Sequence, residues 1–310
     1  MTVAETSTRT SIQPESQVQR TTEVHYRAAL PDDVPEMTDL FLSAVGNLYT
    51  RNNVSASPPP RGAVLVGYEH LRSTGIFHVA EMEGEIIAIA GAIVRDHLWF
   101  LSAFWARPDL QRKGIGMPLL RRVWNAGQAA AATNFFTWSS VDPTAMAAYM
   151  KLGMLPGTQI LHFEGIPRHF SEAPAGYVPA DLERSVATAM DRELLGTGRE
   201  VDHEFWTRAG AAGRQVLHKA KVAGYYYINK GVLGPLAWKE PQDGKAVLAL
   251  ALGEATESEQ GTRLAVPGMN HTALRFVLDA GLRLTSFSHL LTTAPVGRLE
   301  QYLPSGPSLF

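Results

Sequence analysis

The residues best suited to chemistry are Gln111-Arg112-Lys113-Gly114-Ile115-Gly116. Before them runs an apolar stretch, Trp99-Phe100-Leu101-Ser102-Ala103-Phe104-Trp105-Ala106, closed by the breaker Arg107-Pro108-Asp109. After them comes a basic helical run from Met117 to Ala131. A strand, a glycine-bearing turn and a helix make an anion site. Glycine lets the backbone approach a phosphate with no Cβ in the way, and the first amides of a helix have no internal partner and point at the ligand. Arg112 and Lys113 add positive charge. The spacing is not that of a nucleotide P-loop, which needs Gly-x-x-x-x-Gly-Lys followed by a hydroxyl for magnesium. It is not the dinucleotide fingerprint Gly-x-Gly-x-x-Gly either.

A second cluster follows, Asp142-Pro143-Thr144-Ala145-Met146-Ala147-Ala148-Tyr149-Met150-Lys151-Leu152-Gly153-Met154. By pattern it is an amphipathic helix closed by a glycine. It carries one phenol, Tyr149, whose ordinary pKa of about 10 lies above the roughly 8.5 of a thiol. Such a group is protonated at neutral pH and able to donate to a thiolate; the competing reading is a ring packed on a sheet with its hydroxyl paired.

The elements around these clusters read in order. A strand over Val24–Ala29 precedes a helix from Pro31 to about Tyr49, with Met37, Leu40, Phe41, Ala44, Val45 and Leu48 on one stripe. A rigid loop from Arg51 to Gly62, with Ser57-Pro58-Pro59-Pro60, leads to a helix over Ala63–Ser73. Strands are expected over 76–81 and 85–94 about the Glu83-Gly84 turn, then over 98–106. A helix over 116–132, a strand over 135–139, a helix over 143–152 and a strand over 159–163 complete the series. The Pro- and Gly-rich stretch 166–179 reads as a linker. Beyond it, Phe205-Trp206 fall in a helix, and strands are expected over 215–218, 224–228 and 231–238. A helix over 246–254 and a strand over 263–267 follow.

The two clusters resemble, in order and spacing, the pyrophosphate loop Gln/Arg-x-x-Gly-x-Gly/Ala and the helix Asn-x-x-Ala-x-x-x-Tyr-x-Lys-x-Gly-Phe of the Gcn5-related N-acetyltransferase (GNAT) superfamily. Asp142 departs from that pattern, standing where the family has Asn or Ser. The resemblance covers roughly Val24 to Glu164. A weaker copy follows: Asn270 falls on Asp142, Thr272 on Thr144, Ala273 on Ala145, Gly281 on Gly153 and Leu282 on Met154, at one constant offset and within the same element order. In that copy Val277 replaces Tyr149, and Lys239-Glu240-Pro241-Gln242-Asp243-Gly244-Lys245 replaces the glycine loop, with acidic residues that are poor neighbours for a pyrophosphate.

The resemblance therefore implies an α+β fold of two tandem acyl-CoA N-acyltransferase domains, each a mixed, mostly antiparallel twisted sheet flanked by helices. The expected organisation is a disordered leader at 1–22, a catalytic domain at 23–165, a linker at 166–180 and a degenerate domain at 181–310. The implied reaction is acetyl transfer from acetyl-CoA directly to a primary amine of a small molecule. A catalytically weak acyl-CoA-binding sensor and a protein amine acetyltransferase are the alternatives. The implied cofactor-binding residues are Phe104, Trp105 and Ala106, which pair with the pantetheine; Gln111, Arg112, Lys113, Gly114, Ile115, Gly116 and Met117, which hold the pyrophosphate; and Asp142 and Thr144. In the family, a bulge in the strand before the loop splays it from its neighbour, and the cofactor enters that gap. Tyr149 is the implied general acid. Many family members place a Glu base on that strand, but here it carries no carboxylate. Glu81, Ser102, Glu83, His78, Asp96, His97 and ordered water are the candidates left open. Tyr49, Phe77, Phe100, Trp105 and Trp138 are the candidate acceptor lining, under a roof made by 51–62.

Composition is consistent with this reading. The 310 residues are 45% hydrophobic and 19% charged, enough for a sizeable core in two domains. The net charge of −2 gives no reason to expect nucleic acid or an anionic membrane as partner. With no Cys, thiolate metal sites and an acyl-cysteine intermediate are excluded, and no metal is expected. No run of about 18 apolar residues is present, nor an apolar signal segment, so a cytoplasmic protein is expected, with monomer or homodimer undetermined.

Overall fold

The computed structural model describes residues 23–54, 58–256 and 261–310. The proposed leader at 1–22 and Ser55–Ser57 of the proline loop lie outside the described residues.

The chain opens with β1 (His25–Ala28), α1 (Val34–Arg51), α2 (Arg61–Thr74), β2 (Ile76–Met82), β3 (Glu85–Arg95) and β4 (Leu98–Ala106). There follow α3 (Gly116–Ala129), β5 (Asn134–Ser139), α4 (Pro143–Met150) and β6 (Leu155–Gly165). The second half repeats the order with β7 (Tyr177–Asp181), α5 (Arg184–Leu195), α6 (Glu200–Arg208), β8 (Ala212–His218), β9 (Lys221–Asn229) and β10 (Val232–Trp238). It ends with α7 (Gly244–Thr256), β11 (Thr262–Pro267), α8 (His271–Asp279), β12 (Arg283–Thr292) and the two-residue β13 (Tyr302–Leu303). The last residues read as linker thus form part of β7, which pairs with β8 from Tyr177↔His218 to Asp181↔Arg214.

All strands join one sheet in the order β1-β2-β3-β4-β5-β12-β6-β11-β10-β9-β8-β7, with β13 on β10. Among the described residues only β4–β5 and β10–β11 are parallel. The halves exchange strands at the centre. β12, from the second half, lies between β5 and β6 of the first, and β6 lies between β12 and β11. The registers mirror each other: Leu290 faces Trp138 as Val266 faces Leu161, and Leu291 faces Thr137 as Ala265 faces His162. Each half therefore completes its sheet with the other's strand.

The helices divide between the two faces. One face carries α1 and α2 beside α5 and α6 over a single core that runs across both halves, from Met37, Leu40 and Leu71 through Phe100, Phe136 and Ile160 to Met190, Phe205 and Tyr225. The other face has two separate cores. α3 and α4 cover Trp99, Leu101 and Phe135 with Leu119, Leu120, Val123 and Tyr149. α7 and α8 cover the second half with Val247, Leu252, Ala273 and Val277. Where the halves meet, buried Asp202 on α6 takes hydrogen bonds from Arg95 at 2.7 and 2.9 Å and lies 2.9 Å from His70 Nε2. The His70 ring stacks on Phe205 at 4.3 Å. Burying charge is costly unless it is paired, and here each ion finds its partner across the two halves.

Candidate active site

The alternating apolar pattern of β4 places Leu98 and Phe100 in the α1–α2 core and Trp99 and Leu101 in the α3–α4 core. At Ser102 the pattern breaks. Gly91 faces Ala103 and Ala92 faces Leu101, so Ser102 is the extra residue of a β-bulge. At the same point β4 parts from β5. The parallel pairing runs from Leu98↔Asn134 to Leu101↔Thr137 and stops, although β5 continues to Ser139 and β4 to Ala106. Residues 102–106 thus present a strand edge to an open fork. Phe104, Trp105 and Ala106 lie there, each partly exposed, with Trp105 edge-on to Phe41 at 5.1 Å.

Past the fork, residues 111–115 form the turn into α3. Gly114 has φ +85° and Arg112 φ +63°. Arg112, Lys113 and Gly114 are exposed, while Gln111 turns back to donate to the Ala106 carbonyl at 3.2 Å. The first turn of α3 has neither a capping side chain nor an acidic residue, which leaves its amides and the helix dipole available to an anion. Gly116 sits against Phe104: a Cβ there would lie 3.0 Å from the ring's Cζ. Ile115 is buried, its carbonyl taking the Tyr26 hydroxyl at 3.2 Å, and Met117 is partly buried. The loop and the fork therefore meet at Phe104.

Tyr149 lies on the same side, its ring 5.9 Å from that of Phe104. It is buried. Burial first, and the Asp142 carboxylate second, push its phenol well above the ordinary value of 10.0. The phenol therefore keeps its proton at neutral pH. Asp142 caps α4 by accepting from the Thr144 amide at 2.8 Å, and Arg51 lies 3.6 Å away. Thr144 itself is exposed.

The base candidates are committed elsewhere. Glu81 accepts from Arg27 at 2.9 Å, which also holds Asp33. His78 faces α3 instead of the α1–α2 side, and burial, aided by Arg122, lowers its pKa. Asp96 accepts from Thr197 Oγ1 at 2.9 Å and from the Gly198 amide at 3.2 Å, and His97 lies beside Gly196, so both join the halves together. Glu83 occupies the β2–β3 turn with φ +54°. Ser102 alone is at the fork, and its hydroxyl donates to the Ser308 carbonyl at 2.5 Å.

Of the candidate lining, Phe77 and Phe100 are core residues, Tyr49 and Trp105 are partly exposed, and Trp138 is nearly buried. Sequence reasoning missed the polar cluster beside Trp138. The indole donates to Ser288 Oγ, which lies 2.9 Å from His162 Nε2. Burial lowers the His162 pKa. These groups meet only because β12 lies between β5 and β6, and no local pattern announces that. Tyr68 was missed too; its hydroxyl is buried beside Phe41 and Phe77 and has no partner among the described residues.

The corresponding place in the second half is closed. β10 parts from β11 after Val232↔Arg263, but β13 fills the fork, pairing Leu303 with Leu236 and Tyr302 with Ala237. At the start of α7, buried Asp243 accepts from Tyr177 at 2.8 Å and from the Glu240 amide at 3.3 Å. The turn into α7 thus carries a buried carboxylate where the turn into α3 carries Ile115.

Residues 42–154 match the family described as Acetyltransferase (GNAT) family. That segment, within the first half, carries the GNAT family's pattern. No curated protein matches the chain, but solved GNAT structures share its fold over most of their length. A protein from Pyrococcus horikoshii assigned as an acetyltransferase aligns with a TM-score of 0.76 at 17% identity, covering 96% of this chain and 99% of that one. A tandem GNAT protein from the clavulanic acid biosynthesis pathway aligns at 0.60 and 15% identity, covering 88% and 99%. A GCN5-related N-acetyltransferase from Sphaerobacter thermophilus aligns at 0.63 and 16% identity, covering 90% and 98%. The chain thus shares a tandem α+β fold with these proteins, and its residues 42–154 match the acetyltransferase family. Among its described residues no helix is long and apolar enough to cross a membrane, and no cluster of three or more His, Cys, Asp or Glu is arranged to hold a metal.

Proposed function

We propose that the first half, 23–165 completed by β12, transfers acetyl from acetyl-CoA to a primary amine of a small molecule, and that the second half, 181–310, binds no cofactor. The carrying observation is the open β4–β5 fork leading to an uncapped α3, set against the filled β10–β11 fork leading to Asp243.

In this reading the amides of residues 112–117 hold the pyrophosphate, with Arg112 and Lys113 adding charge. The free edge of residues 104–106 pairs with the pantetheine amides as an added strand would. A backbone N–H at the fork polarises the thioester carbonyl. The neutral amine attacks that carbonyl carbon, the C–N bond forms as the C–S bond breaks, and Tyr149 protonates the departing thiolate. Attack is direct in this reading, and the chain has no Cys that could form an acyl-cysteine. Much of the rate comes from holding amine and thioester together away from water. In this reading the amine's proton leaves through ordered water, because Glu81 is held in an ion pair with Arg27 and Asp96 by the loop between α5 and α6.

The test is thiol release from acetyl-CoA across a panel of small primary amines, with the acetylated product identified by mass spectrometry. Amine-dependent release with N-acetylated product supports the reading. Tight acetyl-CoA binding with no release on any amine would instead identify an acyl-CoA sensor.

A further inference from the structure

The end of the second half reaches the fork of the first. After β13, Pro304 lies against Gly234, where a Cβ would come within 2.5 Å of the Pro304 carbonyl oxygen. The chain then crosses the sheet with Pro307 and Ser308 exposed. It is caught at Ser102, the bulged residue of β4, whose hydroxyl donates to the Ser308 carbonyl at 2.5 Å. Beyond the catch the chain is anchored. The Phe310 ring packs at 5.6 Å from Phe100 and 5.0 Å from Phe136, and its carbonyl takes hydrogen bonds from Arg199 at 2.6 Å and Tyr302 at 2.9 Å. Arg199 is itself fixed by buried Asp191 at 2.8 Å.

This crossing lies on the α1–α2 face. The glycine turn, α3 and Tyr149 lie on the other. A thioester threaded through the fork from the α3 side therefore offers its carbonyl toward residues 304–308. From this geometry we infer that residues 304–308 form a wall of the acceptor site and set the size of amine admitted, so that the second half is a specificity element of the first. The inference rests on the fork being the acetyl-CoA site.

The test uses the full chain with two glycines inserted after Gly306, an exposed-loop change of the kind folds tolerate, and separately Phe310→Ala, which removes the anchor. Ethylamine, benzylamine and tryptamine serve as acceptor probes, and acetyl-CoA affinity is measured by calorimetry. Filling or emptying a substrate pocket by a few carbons changes selectivity by about tenfold or more. The insertion variant is therefore expected to raise thiol release with tryptamine relative to ethylamine by about tenfold, with acetyl-CoA affinity kept within about twofold. Phe310→Ala is expected to shift selectivity in the same direction. An unchanged ratio in a folded insertion variant that binds acetyl-CoA would overturn the wall. A wild-type chain that fails to bind acetyl-CoA would overturn the reading of the fork, and the wall with it.

Discussion

Gly114→Ala separates the shape of the loop from its space. No heavy atom lies within 4 Å of the position a Cβ would take, so an alanine meets no neighbour. The backbone is the obstacle: at φ +85° an L-residue with a Cβ is strained by roughly 1–2 kcal/mol. That strain must appear in one of two places. If the loop holds its conformation without ligand, stability falls by that amount and affinity is unchanged. If the loop relaxes when free, stability holds and the strain is met on binding, which at 1.4 kcal/mol per decade raises the acetyl-CoA Kd roughly 5- to 30-fold. Because the residue is exposed and contacts nothing, the second outcome is expected to dominate. Gly114→Asn, whose side chain tolerates left-handed backbone, should recover most of the loss. Denaturant unfolding and calorimetric titration on the same proteins give both terms, and their sum should come to about 1–2 kcal/mol. Unchanged stability together with unchanged affinity, or an Asn variant no better than Ala, would refute the claim that the left-handed turn serves the cofactor.

Tyr149→Phe should lower kcat at neutral pH by about 10²–10⁴-fold and leave acetyl-CoA affinity near wild type, as expected for loss of a general acid. Its deficit should narrow as pH rises past about 8.5, where a thiolate leaves unaided. Since burial raises the Tyr149 phenol, the wild-type rate should show no loss from this group up to pH 10.0. Asp202→Ala leaves Arg95 and His70 buried without their anion, and should cost about 3–5 kcal/mol in a denaturant titration. Burial raises the Asp202 pKa, but hydrogen bonds from His70 and Arg95 outweigh it and bring the carboxyl to about 2. Its stabilisation is therefore complete above the unfolded value of 3.8 and is lost as pH falls toward about 2, which unfolding midpoints between those values will follow. Residues 23–165 expressed alone lack β12 and expose the facing edges of β5 and β6, so they should show no cooperative melt, whereas the full chain should unfold in one transition.

Much of the first half was legible because its signals are local. The alternation of β4, the breaker at Pro108, the glycines at 114 and 116 and the helix ending at Gly153 each act within a few residues of themselves. The same holds for the second copy, where Val277 and Asp243 differ from the first in plain view. What could not be read was long-range. The exchange of β6 and β12 is a choice of partner between two ordinary strands, and nothing in either sequence says which half each will complete. The plug Tyr302–Leu303 and the catch at Ser308 depend on that exchange, as does the meeting of Trp138, Ser288 and His162. The partners of the base candidates were hidden for a related reason: Asp96 and His97 look free until the second half is placed against them, and Glu81 until Arg27 is.

The measurement that bears most directly on the central claim is the stoichiometry of acetyl-CoA on the full chain by calorimetry, with Gly114→Glu beside it. One site per chain, lost when a carboxylate is placed in the glycine turn, is the predicted result. Two sites would mean that β13 yields its fork to the cofactor. One site that survives Gly114→Glu would place acetyl-CoA outside the β4–β5 fork and contradict the account.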